Sequence, residues 1–166
     1  KMKVKLRILK SFFTEFFSNQ EDISLSFDSR SIKHGDLFVA LNGENFKAAN
    51  FVEPAINSGA SFAIVNKEDK ELICSEVQKN CFFVDDTTVF LKELATKSLN
   101  DWKKDSLTEK ITVGITGSNG KTSTKELLLF LLEKTTSKKI QGTIGNLNNQ
   151  FGVPMTVFGL EAETEI

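Results

Sequence analysis

GITGSNGKTSTKE, residues 114–126, sets three glycines, two lysines and a row of hydroxyls between two apolar runs. The run before it, ending at Ile115, predicts a strand over 111–115. The run after it, LLLFLL, predicts a helix over 122–133. In a strand–loop–helix of this kind, backbone N–H groups and the positive helix end face one point and favour an anion. Glycines let the backbone approach phosphate oxygens closely. A lysine opening the helix reaches the β- and γ-phosphates of a nucleotide, and the hydroxyl after it suits Mg²⁺. The general G-x-x-x-x-G-K-[ST] pattern is not met as written, because Ile115 stands at its first glycine and Gly117 lies three residues before Gly120. Gly-Ser-Asn-Gly is also a good turn. A turn alone gives no reason for Lys121, Thr122 and Ser123 to follow in that register, so nucleotide binding is the expectation.

Downstream lies GTIGNLNNQFGVP, residues 142–154, following a strand predicted at 139–141. Glycine and asparagine make it a loop by composition. Asparagine amides both donate and accept, which suits sugar–phosphate and amide groups. Ligands of open α/β sheets collect at the carboxyl ends of strands, where this loop would sit.

Upstream, Leu9, Phe12, Phe13, Phe16 and Phe17 recur at helical spacing and predict an amphipathic helix over 3–18. Then follow a short strand beginning ISLSF, a polar loop at Asp28-Ser29-Arg30, a turn at Gly35-Asp36 and a strand over 37–41. A helix stopping at Gly59, a strand over 61–65 and another at CFFV precede a helix with Thr87 or Thr88 as N-cap. Strands alternating with helices give an α/β layer architecture. The polar stretch KKDSLTEK, residues 103–110, marks a boundary near 108. The expected organisation is a small α/β domain over 1–107, followed by the start of a P-loop α/β domain over 108–166.

Of the 166 residues, 40% are hydrophobic and 26% charged, as in an ordinary globular protein. The formal net charge of −1 offers no pull toward nucleic acid or an anionic membrane. The run Lys67-Glu68-Asp69-Lys70-Glu71 reads as a solvated surface. Two cysteines, Cys74 and Cys81, are too few for a disulfide scaffold or a zinc site and read as small buried or half-buried thiols. The one histidine, His34, beside a glycine, reads as a loop or surface residue. The basic start KMKVKLRILK lacks the apolar core of a signal peptide, and no apolar run is long enough to span a membrane. A cytoplasmic, soluble protein is expected.

TGSNGKTS followed by GNLNNQFGVPMT resembles the opening of the ATPase domain of the Mur ligases. DSRSIKHGDLFVALNGENF followed by AINSGASFAIV resembles their UDP-binding N-terminal domain. The resemblance covers nearly the whole chain. It implies an ATP-dependent ligase of peptidoglycan precursor synthesis, acting through an acyl phosphate, with ATP and Mg²⁺ as cofactors. Asn-Leu-Asn-Asn is most similar to the branch joining D-alanyl-D-alanine to UDP-N-acetylmuramoyl-tripeptide. The branch adding the third amino acid, a non-catalytic nucleotide-binding module and a small P-loop kinase are the alternatives.

By this resemblance, backbone groups of Gly117, Ser118, Asn119 and Gly120 hold the phosphates and Lys121 meets the β- and γ-phosphates. Thr122 is a metal ligand and Ser123 a supporting hydroxyl. Ser29, Arg30, Glu44, Asn45 and Phe46 border the uridine diphosphate. Asn146, Asn148 and Asn149 approach the substrate from the ATPase side. Asp28 reads equally as a loop cap. Two departures stand out: Lys47-Ala48-Ala49 replaces the family's usual Asp-Gly-His-like segment, and GLEAETEI ends the chain where a further strand and an acidic metal ligand are expected. The chain alone is therefore expected to be an inactive portion that self-associates through an unpaired sheet edge, within an otherwise monomeric ligase.

Overall fold

The computed structural model describes residues 2–15, 21–43, 46–104, 109–143 and 151–166. It divides into two compact units, 1–94 and 95–166.

The first unit is built on a five-stranded sheet in the order β1-β2-β3-β4-β5. Its strands are β1 (Lys3–Lys5), β2 (Asp22–Ser26), β3 (Leu37–Val39), β4 (Phe62–Asn66) and β5 (Cys81–Val84). The last four are parallel, with Leu25 opposite Leu37, Leu37 opposite Phe62 and Ala63 opposite Cys81. β1 runs antiparallel along the edge, Val4 facing Ile23.

Parallel strands need crossovers, and the covered faces that result favour unbroken apolar runs such as Leu37-Phe38-Val39. One face carries Phe38, Ala63 and Val65 under Val52 and Ala55 of α2 (Val52–Asn57). Alternation along the strands sends Leu37, Val39 and Ile64 to the other face, and all three are buried. On that side Phe13 stacks on Phe82 at 4.5 Å and meets Phe90 at 5.5 Å, while Phe62 meets Phe82 at 5.4 Å. Phe90, Leu91 and Leu94 lie on the buried side of α4 (Thr87–Lys104). α3 (Ser75–Gln78) is a single turn ahead of β5.

Four expectations for this unit are corrected. The helix over 3–18 reduces to α1 (Leu6–Lys10), because Lys3-Val4-Lys5 alternates and pairs with β2 instead; Phe16 and Phe17 lie outside the described residues. Asp86, and neither threonine, caps α4: its Oδ1 accepts from the N–H of Thr88 at 2.6 Å and of Val89 at 3.0 Å. Thr87 is buried, and its N–H donates to Oδ1 of Asn66 at 2.7 Å. Third, Asp69 of the expected solvated run is 3% exposed. His34 is exposed, as expected; Cys81 is half-buried, whereas Cys74 is exposed. Burial pushes the Cys81 thiol up to about 11.

The second unit carries α5 (Lys121–Thr135) and α6 (Gly152–Phe158). The strands expected at 111–115 and 139–141 do not form ladders. A few bonds link these segments through Glu165 and Ile166: Ile111 N–H to Glu165 C=O, the Glu165 and Ile166 N–H groups to Lys139 C=O, and Gln141 N–H to Ile166 C=O. A ladder needs repeated pairing, and Ile111 and Val113 are instead largely exposed. Residues 152–154, expected in a loop, open α6. Pro154 falls within its first turn, where no intrahelical N–H is lost.

Candidate functional site

The glycine loop of the second unit has the local geometry its sequence implies. Gly117 has φ of 148° and Gly120 φ of 78°, both in the region where a side chain is strained. Gly120 is the N-cap of α5, and its C=O accepts the first helical bond, from the N–H of Thr124 at 2.9 Å. A Cβ on Gly120 would meet nothing within 4 Å, so torsion and not crowding demands glycine there. Lys121 turns back over the loop, Nζ donating to Gly117 C=O at 2.5 Å and Ser118 C=O at 3.4 Å. Lys121 is thus held across the mouth of the loop. Ser118, Asn119, Thr122 and Ser123 are exposed around it.

One turn along α5, the mostly buried Lys125 donates to Thr143 C=O at 2.7 Å and pairs with Glu126 at 2.8 Å. Gly142 packs against the same helix, where an added Cβ would come 2.6 Å from Cδ1 of Leu129. The backbone entering the asparagine-rich segment is therefore fixed one helical turn from Lys121. Asn146, Asn148 and Asn149 themselves lie outside the described residues.

Among the described residues, no group of three or more His, Cys, Asp or Glu side chains could hold a metal by itself. The donor set at the loop is instead the exposed Thr122 hydroxyl beside an uncrowded glycine cradle. That set fits Mg²⁺ arriving on nucleotide phosphates, which keeps much of its water and takes few protein ligands.

In the first unit, the carboxyl ends of the parallel strands converge on a cavity of about 590 Å³. Asn42, Gly43, Phe46 and Lys47 after β3, Asn66 and Glu68 at the end of β4, and Asp86, Thr87 and Thr88 after β5 line it. Of the residues expected to border a nucleotide, Phe46 is on this wall, 54% exposed, with its ring edge-on to Phe51 at 6.2 Å. Glu44 and Asn45 lie outside the described residues.

Ser29 and Arg30 follow β2 at the same end of the sheet but do not line the cavity. Arg30 grips Asp28 with two nitrogens, Nε to Oδ1 at 2.9 Å and Nη2 to Oδ2 at 2.7 Å. Asp28 also caps the turn, accepting from the Arg30 N–H at 3.0 Å. The Arg30 hydrogen bonds hold its carboxyl down at about 2. The cap reading of Asp28 therefore describes its contacts. Asn42, Asn66 and Asp86 were not singled out in the sequence, and Thr87 and Thr88 only as cap candidates. Each follows a predicted strand by a few residues, the position from which strand-end ligands are held.

Residues 115–166 match the model of the Mur ligase middle domain. The UDP-N-acetylmuramoyl-tripeptide–D-alanyl-D-alanine ligase of Bacillus subtilis is 34% identical over 139 residues, 84% of this chain and 28% of that enzyme. The chain belongs to the Mur ligase family. Among solved structures, MurF from Acinetobacter baumannii superimposes with a TM-score of 0.78 at 31% identity, over 98% of this chain and 34% of that one. A second Mur ligase, MurF from Thermotoga maritima in complex with ADP, gives 0.68 at 29% identity, over 82% of this chain and 29% of that one. The chain thus spans less than a third of the length of the curated Mur ligase named above. Among the described residues, no helix is long and apolar enough to cross a membrane.

Proposed function

We propose that these residues supply the UDP-substrate pocket and the nucleotide loop of a cytoplasmic ligase in peptidoglycan precursor synthesis. That enzyme joins D-alanyl-D-alanine to UDP-N-acetylmuramoyl-tripeptide. ATP phosphorylates the terminal carboxylate, leaving ADP, and the dipeptide amine attacks the acyl phosphate, forming the amide and releasing phosphate. Residues 1–107 form the UDP-substrate domain and 108–166 begin the ATP-binding domain. With under a third of such a ligase's length, the 166 residues alone are expected not to ligate.

The observation that carries the reading is the attachment of both motif loops to one helix. Lys121 of α5 spans the glycine loop, and Lys125 holds the backbone entering the asparagine segment. Nucleotide and acyl substrate would thereby meet across one turn of helix.

On nucleotide binding, Lys121 exchanges the Gly117 and Ser118 carbonyls for β- and γ-phosphate oxygens. The N–H groups of Gly117, Ser118, Asn119 and Gly120 converge on the same phosphates. Thr122, supported by Ser123, would hold Mg²⁺, which would supply charge neutralisation on the transferring phosphoryl group. Asn146, Asn148 and Asn149 reach the substrate from this side. Phe46, with Glu44 and Asn45, borders the uridine diphosphate in the strand-end cavity, and Ser29 and Arg30 flank it.

The test is amide NMR on the full chain, titrated with Mg·ATP and, separately, with UDP-N-acetylmuramoyl-tripeptide. Mg·ATP is expected to shift residues 117–123. The tripeptide is expected to shift Asn42, Phe46, Asn66 and Thr88. A second cavity of about 580 Å³, between Lys3, Asp22, His34 and Asp36, lies toward the amino ends of the strands. Tripeptide shifts confined to that cavity overturn the placement.

A further inference from the structure

One buried carboxylate anchors both ends of the segment that walls the strand-end cavity. Asp69 sits in the 3₁₀ turn Lys67–Leu72. Its Oδ2 accepts from Nδ2 of Asn42 at 2.8 Å, and its Oδ1 lies 2.9 Å from Nζ of Lys47. Asn42 extends the tie, its Oδ1 accepting from the Ala48 N–H at 2.8 Å. Lys47 also reaches Glu68 at 3.0 Å, on the solvent side. Within the segment, Gly43 N–H donates to Phe46 C=O at 3.2 Å.

Burial pushes the Asp69 carboxyl up, but the Asn42 and Lys47 hydrogen bonds and the lysine charge outweigh it and leave it below its ordinary value. A buried carboxylate is tolerated only with such partners, so the two ends of the segment are held by the need to satisfy it. Asn42, Gly43, Phe46, Lys47 and Glu68 all line the cavity, and Asp69 does not.

We propose that Asp69 is a positioning residue: it holds Asn42 and Lys47, both on the cavity lining, in the arrangement that admits the uridine diphosphate end of the substrate, without touching it. The proposal rests on the reading of the strand-end cavity given above. A wall held in place before binding contributes affinity because its ordering is not charged to the ligand.

The test titrates UDP, by calorimetry and amide NMR, into the full chain and its Asp69→Asn, Lys47→Met, Lys47→Arg and Glu76→Gln variants. Unmodified chain is expected to bind with shifts at Asn42 and Phe46. Asp69→Asn keeps the Lys47 charge, loses the anchor and is expected to weaken UDP roughly tenfold, on the scale of one charge-assisted hydrogen bond. Exchange of the Ala48 amide should quicken in the same variant. Lys47→Met is expected to weaken UDP similarly and to lower the thermal midpoint, because it leaves the buried Asp69 carboxylate without its cation. Lys47→Arg recovers most of that loss, and Glu76→Gln, exposed on α3 and absent from the cavity lining, stays within about twofold. Should Asp69→Asn not fold, Asn42→Ala, which severs the other arm, replaces it with the same expected loss. Unchanged UDP affinity in a folded anchor variant overturns the positioning role while leaving the cavity reading intact. Absence of UDP shifts in the unmodified chain overturns the cavity reading, and the positioning role falls with it.

Discussion

Replacing Asp86 by alanine isolates the contribution of one side chain to the start of α4. Its Oδ1 takes the N–H groups of Thr88 and Val89, two of the donors that a helix start leaves without intrahelical partners. Val89 is 50% exposed, so water can replace the lost acceptor, and the full penalty of a buried orphan does not apply. The expected loss is therefore that of an ordinary N-cap, about 1 kcal/mol within a range of roughly 0.5–2. For a unit of this size, 1 kcal/mol lowers the melting midpoint by about 4–8 °C. Asp86→Asn keeps an acceptor oxygen and loses only the charge facing the helix dipole, which limits its effect to about 0.3–1 kcal/mol. Thr88→Ala, which the sequence pattern marks as a cap deletion, should stay within about 0.5 kcal/mol as a surface change. Urea and thermal unfolding followed by far-ultraviolet circular dichroism give all three numbers. A Thr88→Ala loss equal to or larger than that of Asp86→Ala refutes the assignment of the cap.

The Asp28 carboxyl, held at about 2 by Arg30, should be ionised across the ordinary titration range of an aspartate. Its folded value lies below its unfolded one, so the stabilisation is fully present above about 3.8 and is lost as pH falls through about 2. Side-chain NMR titration measures this, and Arg30→Gln should return Asp28 toward 3.8. Leu91, fully buried in α4, should lose about 2–5 kcal/mol on replacement by alanine. Val89→Ala on the exposed side should change stability by less than about 0.5 kcal/mol, and equal effects would contradict the helix orientation.

The strands and crossovers of the first unit were legible because their residues obey local rules. LFV and FAIV are short apolar runs bounded by turn residues, and Gly59 ends α2 as a helix-stopping glycine should. The glycine loop was legible for the same reason, since torsion, charge and hydroxyl all lie within seven consecutive residues. What escaped depends on partners far along the chain. Lys3-Val4-Lys5 is too short to declare itself a strand and needs β2 beside it. Asp69 looks solvated within a charged run, and only Asn42 and Lys47, more than twenty positions away, explain its burial. Choosing Asp86 over Thr87 as the cap required knowing that Asn66 already satisfies the Thr87 N–H. The apolar run at 111–115 predicted a ladder, but pairing is decided by neighbours, and the neighbouring backbone offers Ile111 a single bond there.

α5 contains no buried residue, and Leu127, Phe130 and Leu131 are each about half exposed. Its 15 residues are close to the length at which a helix is only marginal without packing. Opening of this helix is therefore a local event, with a free energy well below that of unfolding the β3–β4 core. The segment that presents Lys121 is in effect a spring coupled to the loop it closes. A phosphate drawn to the helix start acts on that opening equilibrium directly, since any ligand selective for the closed form suppresses the open one by mass action. On the proposed reading, nucleotide recognition and helix order would become one linked equilibrium, in which the ligand completes the folding of its own binding element.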